Sequence, residues 1–227
     1  MVEHPVIRQP TDLARWIDHT ILSPEATEQQ VAGCCREARE HGFRSVCVNP
    51  VHVALVAREL RGSPVLTCSV VAFPLGATTS RDKAAEAATA VENGAAEIDM
   101  VIAVGLLKAG RLEAVRDDIA AVRRACGPAR LKEIIETCYL TDVQKEAACR
   151  LGQEAGADFV KTSTGFGPGG ATVEDVRLMR RTVGEEMGVK ASGGIRSFEA
   201  ARAMIEAGAT RIGASASLAI IGAAGRA

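Results

Sequence analysis

The chain has 227 residues, of which 47% are hydrophobic and only 3% aromatic, and its formal net charge is −1. The balanced charge and the scarcity of aromatic rings exclude nucleic acid as an expected partner, because such proteins carry basic surfaces and base-stacking residues. The hydrophobic fraction predicts a sizeable core of aliphatic side chains, as in parallel sheets that are covered on both faces.

The seven cysteines show no metal-ligand spacing, so we expect reduced thiols. The first eight residues lack the apolar run of a signal peptide. The stretch from Ile212 to Gly225 is uncharged over 14 residues, which is too short to span a bilayer. We therefore expect a soluble cytoplasmic protein with no membrane partner.

A short signature recurs along the chain, in which Glu, any residue and Gly precede an apolar run. A glycine after a helical pattern predicts a left-handed helix end, and the apolar run predicts the next strand. The five copies are Glu40–Gly42, Glu92–Gly94, Glu154–Gly156, Glu186–Gly188 and Glu206–Gly208. Repeated helix-to-strand junctions predict a βα repeat and a parallel sheet.

The remaining pattern gives eight strands that alternate with helices. A short helix is predicted at 12–16, with Thr11 as its N-cap after Pro10. The strands are predicted at 16–21, 44–48, 65–72, 97–102, 131–137, 158–163, 188–192 and 211–214. The helices between them are predicted at 28–41, 51–60, 80–93, 111–125, 142–155, 173–187 and 197–207, and a last short helix at 216–223.

These elements follow one another without a linker or a low-complexity segment. They predict one domain over residues 1–227, a single (β/α)8 TIM barrel with a short helix before its first strand. A doubly wound open sheet would normally carry G-x-G-x-x-G after its first strand, and that motif is absent there.

A lysine interrupts the sixth predicted strand, in the run Gly156–Gly165. Burying an ammonium group is costly unless the group is paired or its pKa falls, which makes Lys161 a candidate nucleophile. The alternative is a lysine at a strand end that extends its charge into solvent.

Counting five residues on from a junction glycine reaches Cys47, Asp99, Lys161 and Gly213, on strands two, four, six and eight. The interior of such a barrel is built in layers of four side chains from alternate strands. We therefore expect these residues in one layer near the C-terminal mouth, with Gly213 leaving open space there.

A second lysine, Lys190, lies on the neighbouring seventh strand, where alternation directs Lys190 and Ser192 inward. Two ammonium groups about 5 Å apart repel by about 3 kcal/mol, which would lower the pKa of one lysine from about 10.4 to about 8. The alternative is a static ion network in which each lysine pairs with Asp99 or Glu133.

Glycine-rich loops follow the last three strands and predict a phosphate site. Gly193 and Gly194 follow strand seven, Gly213–Ser217 follows strand eight, and Gly165–Gly170 follows strand six. Barrels often bind phosphate on the loops after strands seven and eight, through backbone N–H groups and a helix N-terminus.

Other polar residues have open assignments. Asp18 and Thr20 end the first strand and are expected at the mouth. Lys132, Glu133 and Glu136 alternate along strand five, and they face either the site or the helices. No cluster of His, Asp or Glu has metal spacing, so we expect no metal and no cofactor.

Several motifs, in order along the chain, resemble the deoxyribose-phosphate aldolase family. They are Asp18–Thr20, Ser45–Pro50, Glu97–Val101, Leu131–Thr137, Gly156–Gly165, Val189–Arg196 and Arg211–Ser215. The resemblance implies a class I aldolase on a (β/α)8 barrel, in a homodimer or homotetramer. Such an enzyme reversibly splits 2-deoxy-D-ribose 5-phosphate into glyceraldehyde 3-phosphate and acetaldehyde in deoxyribose catabolism.

The resemblance also implies residue roles. Lys161 would form the Schiff base, Asp99 would transfer protons, and Lys190 would lower the pKa of the first lysine and assist the relay. The residues expected to contact the substrate or its phosphate are Asp18, Thr20, Cys47, Thr164, Gly165, Gly193, Gly194, Gly213 and Ser215.

Three features depart from the family pattern. Phe166 stands where some members have a lysine, Ala216 where many have a second serine, and the chain ends at Ala227 without the C-terminal tyrosine of some members. Two other functions are compatible with the sequence: another Schiff-base phosphosugar lyase, and a non-catalytic barrel that binds sugar phosphates.

Overall fold

The computed structural model describes Ile7 and residues 9–223, and these form a closed barrel of eight parallel strands in chain order. The strands are β1 Ile17–Ile21, β2 Ser45–Val48, β3 Leu66–Val71, β4 Glu97–Val101, β5 Arg130–Ile134, β6 Phe159–Lys161, β7 Gly188–Ser192 and β8 Arg211–Ala214. β8 pairs with β1 and closes the barrel. The predicted (β/α)8 TIM barrel is confirmed. The expectations for residues 1–6, for Arg8 and for the end of the chain at Ala227 fall outside the described residues.

The helices lie between the strands. They are α1 Glu28–His41, α2 Val53–Glu59, α3 Ser80–Glu92, α4 Val104–Lys108, α5 Leu112–Ala125, α6 Asp142–Glu154, α7 Val173–Val183, α8 Phe198–Glu206 and α9 Ser217–Ile220. Five of them begin at a Thr or Ser whose side chain accepts a hydrogen bond from the backbone N–H three residues on, which satisfies a donor that the first turn leaves free. These N-caps are Thr27, Thr79, Thr141, Thr172 and Ser197.

Four of the five predicted junction glycines have positive φ, namely Gly42, Gly94, Gly156 and Gly208. The fifth prediction, at Gly188, was wrong. Helix α7 ends at Val183 instead of 187, because Gly184 adopts a φ of 69° and a ψ of −156° that stop the helix. Gly188 is the first residue of β7, and a Cβ there would lie 2.2 Å from the Phe159 ring, so only glycine fits.

The first predicted helix also begins elsewhere. It is a 3₁₀-helix over Pro10–Trp16, with Gln9 and not Thr11 as its N-cap. Proline suits the first helical position, since its fixed φ is helical and its missing N–H would have no partner there. Gln9 and Asp12 form a reciprocal capping box at this end.

Two strands end two or more residues earlier than predicted, and one α-helix was missed. β5 stops at Ile134 because Glu136 has a left-handed backbone, with φ 54°, and a 3₁₀ turn over Thr137–Tyr139 follows. β6 stops at Lys161, where the Thr162 side chain donates to the carbonyl of Ser192 at 3.1 Å. Helix α4 lies in a stretch predicted as loop.

The apolar core lies between the barrel and its helices. It contains the outward-facing strand residues Val46, Val48, Ile98, Met100, Leu131, Val160, Val189, Ala191 and Ile212. Glu133 also faces outward, and both of its carboxylate oxygens are buried without a hydrogen-bond partner. In the described part of the chain, no helix combines the length and apolar character needed to cross a bilayer.

Candidate active site

Inward-facing residues from alternate strands stack in layers of four inside the barrel, as in other barrels of this type, and three successive layers hold the charged residues. The mouth layer holds Cys47, Asp99, Lys161 and Gly213; the middle layer holds Asp18, Cys68, Lys132 and Lys190; the floor layer holds Ser45, Glu97, Phe159 and Arg211. Such interiors are usually aliphatic, whereas this one contains seven charged side chains, all at most 5% exposed. Burying so many charges requires close pairing.

Six of these side chains form a closed ring in which cations and carboxylates alternate. The ring runs from Arg211 to Asp18, Lys190, Asp99, Lys132, Glu97 and back to Arg211. Its successive nitrogen–oxygen distances are 2.6, 2.5, 2.7, 2.8, 2.6 and 2.8 Å. With three cations and three carboxylates, the ring is electrically neutral.

Lys161 is attached to this ring as an additional cation. Its Nζ donates to Oδ2 of Asp99 at 2.8 Å, and the same oxygen accepts from Nζ of Lys190 at 2.7 Å. The expectation that Cys47, Asp99 and Lys161 share a layer, with Lys190 beside them, is therefore confirmed. Both lysines pair with Asp99, as the ion-network alternative allowed, but neither pairs with Glu133.

The ring holds its members in their charged forms. Burial alone would raise the pKa of Asp99, but the charges of Lys132, Lys161 and Lys190 outweigh it and bring that pKa well below its usual value. Burial alone would lower the pKa of Lys190, but Asp18 and Asp99 outweigh it and raise the pKa. Lys190 therefore stays protonated at neutral pH.

A cavity of about 580 Å³ opens above the mouth layer, at the C-terminal ends of β1, β6, β7 and β8. Eight of the predicted site residues line it: Thr20, Lys161, Thr164, Gly165, Gly193, Gly194, Gly213 and Ser215. The other four, Asp18, Cys47, Asp99 and Lys190, do not line the cavity and are at most 1% exposed. They lie beneath it, because their side chains point into the barrel.

The loops around the cavity are held close to one another by glycines. Gly165, Gly193 and Gly194 all have positive φ. A Cβ on Gly170 would lie 2.2 Å from the carbonyl oxygen of Gly193, so the loops after β6 and β7 can touch only without side chains there. Glu136 orders the first of these loops, since its carboxylate accepts from the backbone N–H of Thr164 at 3.2 Å.

Gly213 has a second steric role. A Cβ there would lie 2.9 Å from Cε and 3.6 Å from Nζ of Lys190. The open space predicted at this position is thus occupied by the end of Lys190. The end of Lys190 therefore lies beside Gly213, which lines the cavity.

Among the described residues, one group has the spacing to hold a metal ion. The thiols of Cys47 and Cys68 and the carboxylate of Asp99 lie within 4.8 Å of one another. Asp99 already contacts three lysine nitrogens, which would repel a cation at this place. The chemistry of this group therefore does not fit a metal ion.

The sequence analysis missed or left open several of these residues. For Lys132 the sequence left open whether the side chain faces the site or the helices, and for Glu97 and Arg211 it predicted no role. Counting three rather than five residues from the junction glycines reaches Ser45, Glu97, Phe159 and Arg211, which is the floor layer. Arg196 was also missed; it follows β7 by four residues and lines the cavity with an exposed side chain.

A closed parallel barrel with a lysine at the base of a cavity at its C-terminal mouth is typical of barrel enzymes, whose active sites lie at that face. The chain belongs to the DeoC/LacD aldolase family, whose model matches residues 13–226.

Curated relatives share most of the chain. It is 61% identical over 210 residues to the deoxyribose-phosphate aldolase of Rhodospirillum rubrum, covering 92% of this chain and 88% of the relative. It is 58% identical to that of Brevibacillus brevis, covering 92% and 95%. A tetrameric deoxyribose-phosphate aldolase structure from Aeropyrum pernix superposes with a TM-score of 0.89 at 36% identity, covering 94% of this chain and 91% of that one.

Proposed function

We propose that this protein is a deoxyribose-phosphate aldolase that cleaves 2-deoxy-D-ribose 5-phosphate through a Schiff base on Lys161. Curated relatives of that name are 56–61% identical to it over 92% of its length. Family membership supports the aldolase reaction, and the geometry of the barrel interior supports the assignment of residues.

The observation that carries the assignment is the position of Lys161. Among the described residues it is the one lysine that lines the main cavity, and it is anchored to Asp99 from below. A substrate aldehyde in the cavity can reach this amine and no other. Schiff-base formation needs the neutral amine, since an ammonium group has no free electron pair.

The charge count of the cluster supports a neutral amine on Lys161. The ring is neutral without it, so an ammonium group on Lys161 would give the cluster a net charge of +1. Lys190 and Lys132 each contact two carboxylates at 2.8 Å or less, whereas Lys161 contacts only Asp99. Deprotonation of Lys161 therefore removes one ion pair, whereas deprotonation of Lys190 or Lys132 removes at least two.

In the proposed reaction the Lys161 amine adds to the C1 aldehyde, and loss of water gives an iminium ion. The C3 hydroxyl then loses its proton and the C2–C3 bond breaks. Its electron pair forms an enamine, and glyceraldehyde 3-phosphate leaves. Protonation of the enamine carbon and hydrolysis release acetaldehyde and regenerate the amine.

We assign proton transfer to Asp99, which contacts the reacting nitrogen, and to Lys190, which contacts the same carboxylate oxygen. Asp99 contacts that nitrogen directly, and the end of Lys190 lies beside Gly213, which lines the cavity. Because the pKa of Asp99 is held low, its main effect at neutral pH is to stabilise positive charge on the iminium nitrogen.

We assign the substrate phosphate to the loops after β6, β7 and β8. The backbone of Gly193, Gly194 and Ser215 borders the cavity there, and Arg196 adds a positive side chain. Arg196 supplies charge on a cavity where Phe166 replaces the lysine of some family members. Helix α9 has four residues, so its dipole contributes little.

We infer that this protein forms a homo-oligomer, either a homodimer or a homotetramer, because the related enzyme from Aeropyrum pernix is a tetramer. We also place the protein in the cytoplasm, since all seven cysteines are free and six of them are buried.

The test is reductive trapping of the Schiff base. Protein incubated with acetaldehyde and borohydride should acquire one ethyl group on Lys161, located by peptide mass spectrometry. Lys161→Ala should lose the adduct, and Lys145→Ala, a lysine paired with carboxylates outside the barrel, should keep it. A folded wild-type protein without an adduct would refute the Schiff-base mechanism.

A further inference from the structure

The floor layer contains a buried ion pair to which no function has been given above. Nη1 and Nη2 of Arg211 donate to the two carboxylate oxygens of Glu97 at 2.8 and 3.2 Å. Glu97 is fully buried and Arg211 is 4% exposed. Neither residue lines the cavity, so neither touches the substrate.

Each member of the pair also contacts a middle-layer residue of opposite charge. Glu97 contacts Lys132 at 2.6 Å, and Arg211 donates to Asp18 at 2.6 Å. Lys132 and Asp18 in turn contact Asp99 and Lys190 respectively. The pair thus closes the ring at the point furthest from Lys161.

Both members carry permanent charges at neutral pH. Burial alone would raise the pKa of Glu97, but Lys132 and Arg211 outweigh it and leave that pKa below its usual value. Burial alone would lower the pKa of Arg211, but Asp18 and Glu97 outweigh it and raise the pKa. The field of each charge reaches the mouth layer through a buried interior, where screening by water and salt is weaker than at the surface.

We propose that Glu97 and Arg211 are positioning residues that set the protonation state of the Lys161 amine by balancing the charge of the ring. This inference rests on the proposed Schiff-base function. Removing the Glu97 charge gives the ring a net charge of +1 and favours the neutral amine. Removing the Arg211 charge gives it −1 and favours the ammonium form.

Besides Glu97 and Arg211, six titratable groups on the neighbouring strands surround the Lys161 amine. They are Asp99 on β4, Lys190 on β7, Lys132 on β5, Asp18 on β1, Cys47 on β2 and Cys68 on β3. All of these stay in place in Glu97 and Arg211 variants, so the change in field comes from the floor layer. The chain of contacts from Lys161 through Asp99 and Lys132 to Glu97 spans about 10 Å. At that distance one charge shifts the pH midpoint of trapping at Lys161 by about one unit.

The experiment measures the rate of trapping by acetaldehyde and cyanoborohydride on Lys161 as a function of pH. The isosteric Glu97→Gln should move the pH midpoint of trapping down by about one unit. Arg211→Met should move it up by a similar amount, and the double variant should return it close to that of the wild type.

Two controls separate charge from packing. Arg211→Lys keeps the positive charge and should leave the midpoint in place. Glu133→Gln replaces a buried, protonated carboxyl group that faces away from the barrel interior, so it changes no charge and should also leave the midpoint in place. If Arg211→Met does not fold, Glu97→Gln and the double variant carry the test.

If Glu97 and Arg211 only stabilised the fold, all variants would show lower trapping rates, and the pH midpoints of Glu97→Gln and Arg211→Met would not shift in opposite directions. Midpoints that stay at the wild-type value, or that move in the same direction in both single variants, would overturn the proposal. An adduct on Lys161 in the same experiment would still support the aldolase function. Absence of the adduct in wild type would instead refute the proposed function itself.

Discussion

Lys190→Met removes a cation that shares one carboxylate oxygen of Asp99 with the Lys161 amine. Both nitrogens contact Oδ2 of Asp99, at 2.7 and 2.8 Å, so they lie no more than about 5.5 Å apart. At an effective dielectric near 20, two charges at that distance repel by about 3 kcal/mol. This corresponds to about two pH units, so the pH midpoint of imine trapping should rise by about that amount.

The variant should still fold, because the carboxylates that lose Lys190 keep other partners. Asp18 retains Arg211 at 2.6 Å, and Asp99 retains Lys132 at 2.8 Å. The remaining cluster has three cations and three carboxylates, so Lys161 must now stay protonated to balance the charge. At neutral pH the rate of imine formation should fall about a hundredfold, in line with two pH units.

The assay is the pH dependence of trapping with acetaldehyde and cyanoborohydride, read by intact mass. Lys145→Met serves as the control, since this lysine contacts Asp142 and Asp175 at 3.0 and 2.6 Å outside the barrel. Its midpoint should equal that of the wild type. A Lys190→Met midpoint that stays in place, with the protein folded, would show that charge balance does not control the amine.

Three further changes test other parts of the structure. Burial raises the pKa of Glu133 well above its usual value. The folded state therefore holds a proton that the unfolded state releases above about pH 4.5, and the free energy of unfolding falls as the pH rises from there. Glu133→Gln should remove this pH dependence of the free energy of unfolding, which amounts to at most about 1.4 kcal/mol per pH unit, as measured by urea unfolding between pH 5 and 8. An unchanged pH dependence would contradict a buried proton on Glu133. Gly152→Ala should destabilise α6 by about 1–3 kcal/mol in the same assay, although alanine favours helices, because its Cβ would lie 1.7 Å from Oε2 of Glu133. Equal or greater stability would show that Glu133 moves aside freely. Arg196→Ala should raise KM for 2-deoxy-D-ribose 5-phosphate about tenfold without changing KM for deoxyribose. Arg202→Ala, at another exposed arginine, is the control. Equal effects on both sugars would show that Arg196 does not bind the phosphate.

The barrel itself was predictable because its signals are local. A helix-ending glycine followed by an apolar run recurs, and four of the five predicted glycines have the expected positive φ. The error at Gly188 arose because the same Glu-x-Gly pattern occurs where a different glycine, Gly184, already ends the helix. Choosing between two nearby glycines depended on Phe159, a residue about thirty positions away, whose ring leaves no room for a side chain at Gly188.

The sequence by itself determined which residues share the mouth layer, since a constant spacing from the junction glycine and the period-two alternation of strands place Asp99 and Lys161 at one height. It did not determine their partners. The closed ring joins residues as far apart as Asp18 and Arg211, which lie 193 positions apart along the chain. Such contacts form only when the barrel closes and brings β8 against β1. The tertiary structure therefore decided that the six ring charges cancel and that Lys161 is the cation in excess, because charge balance is a property of the assembled interior and not of any one strand.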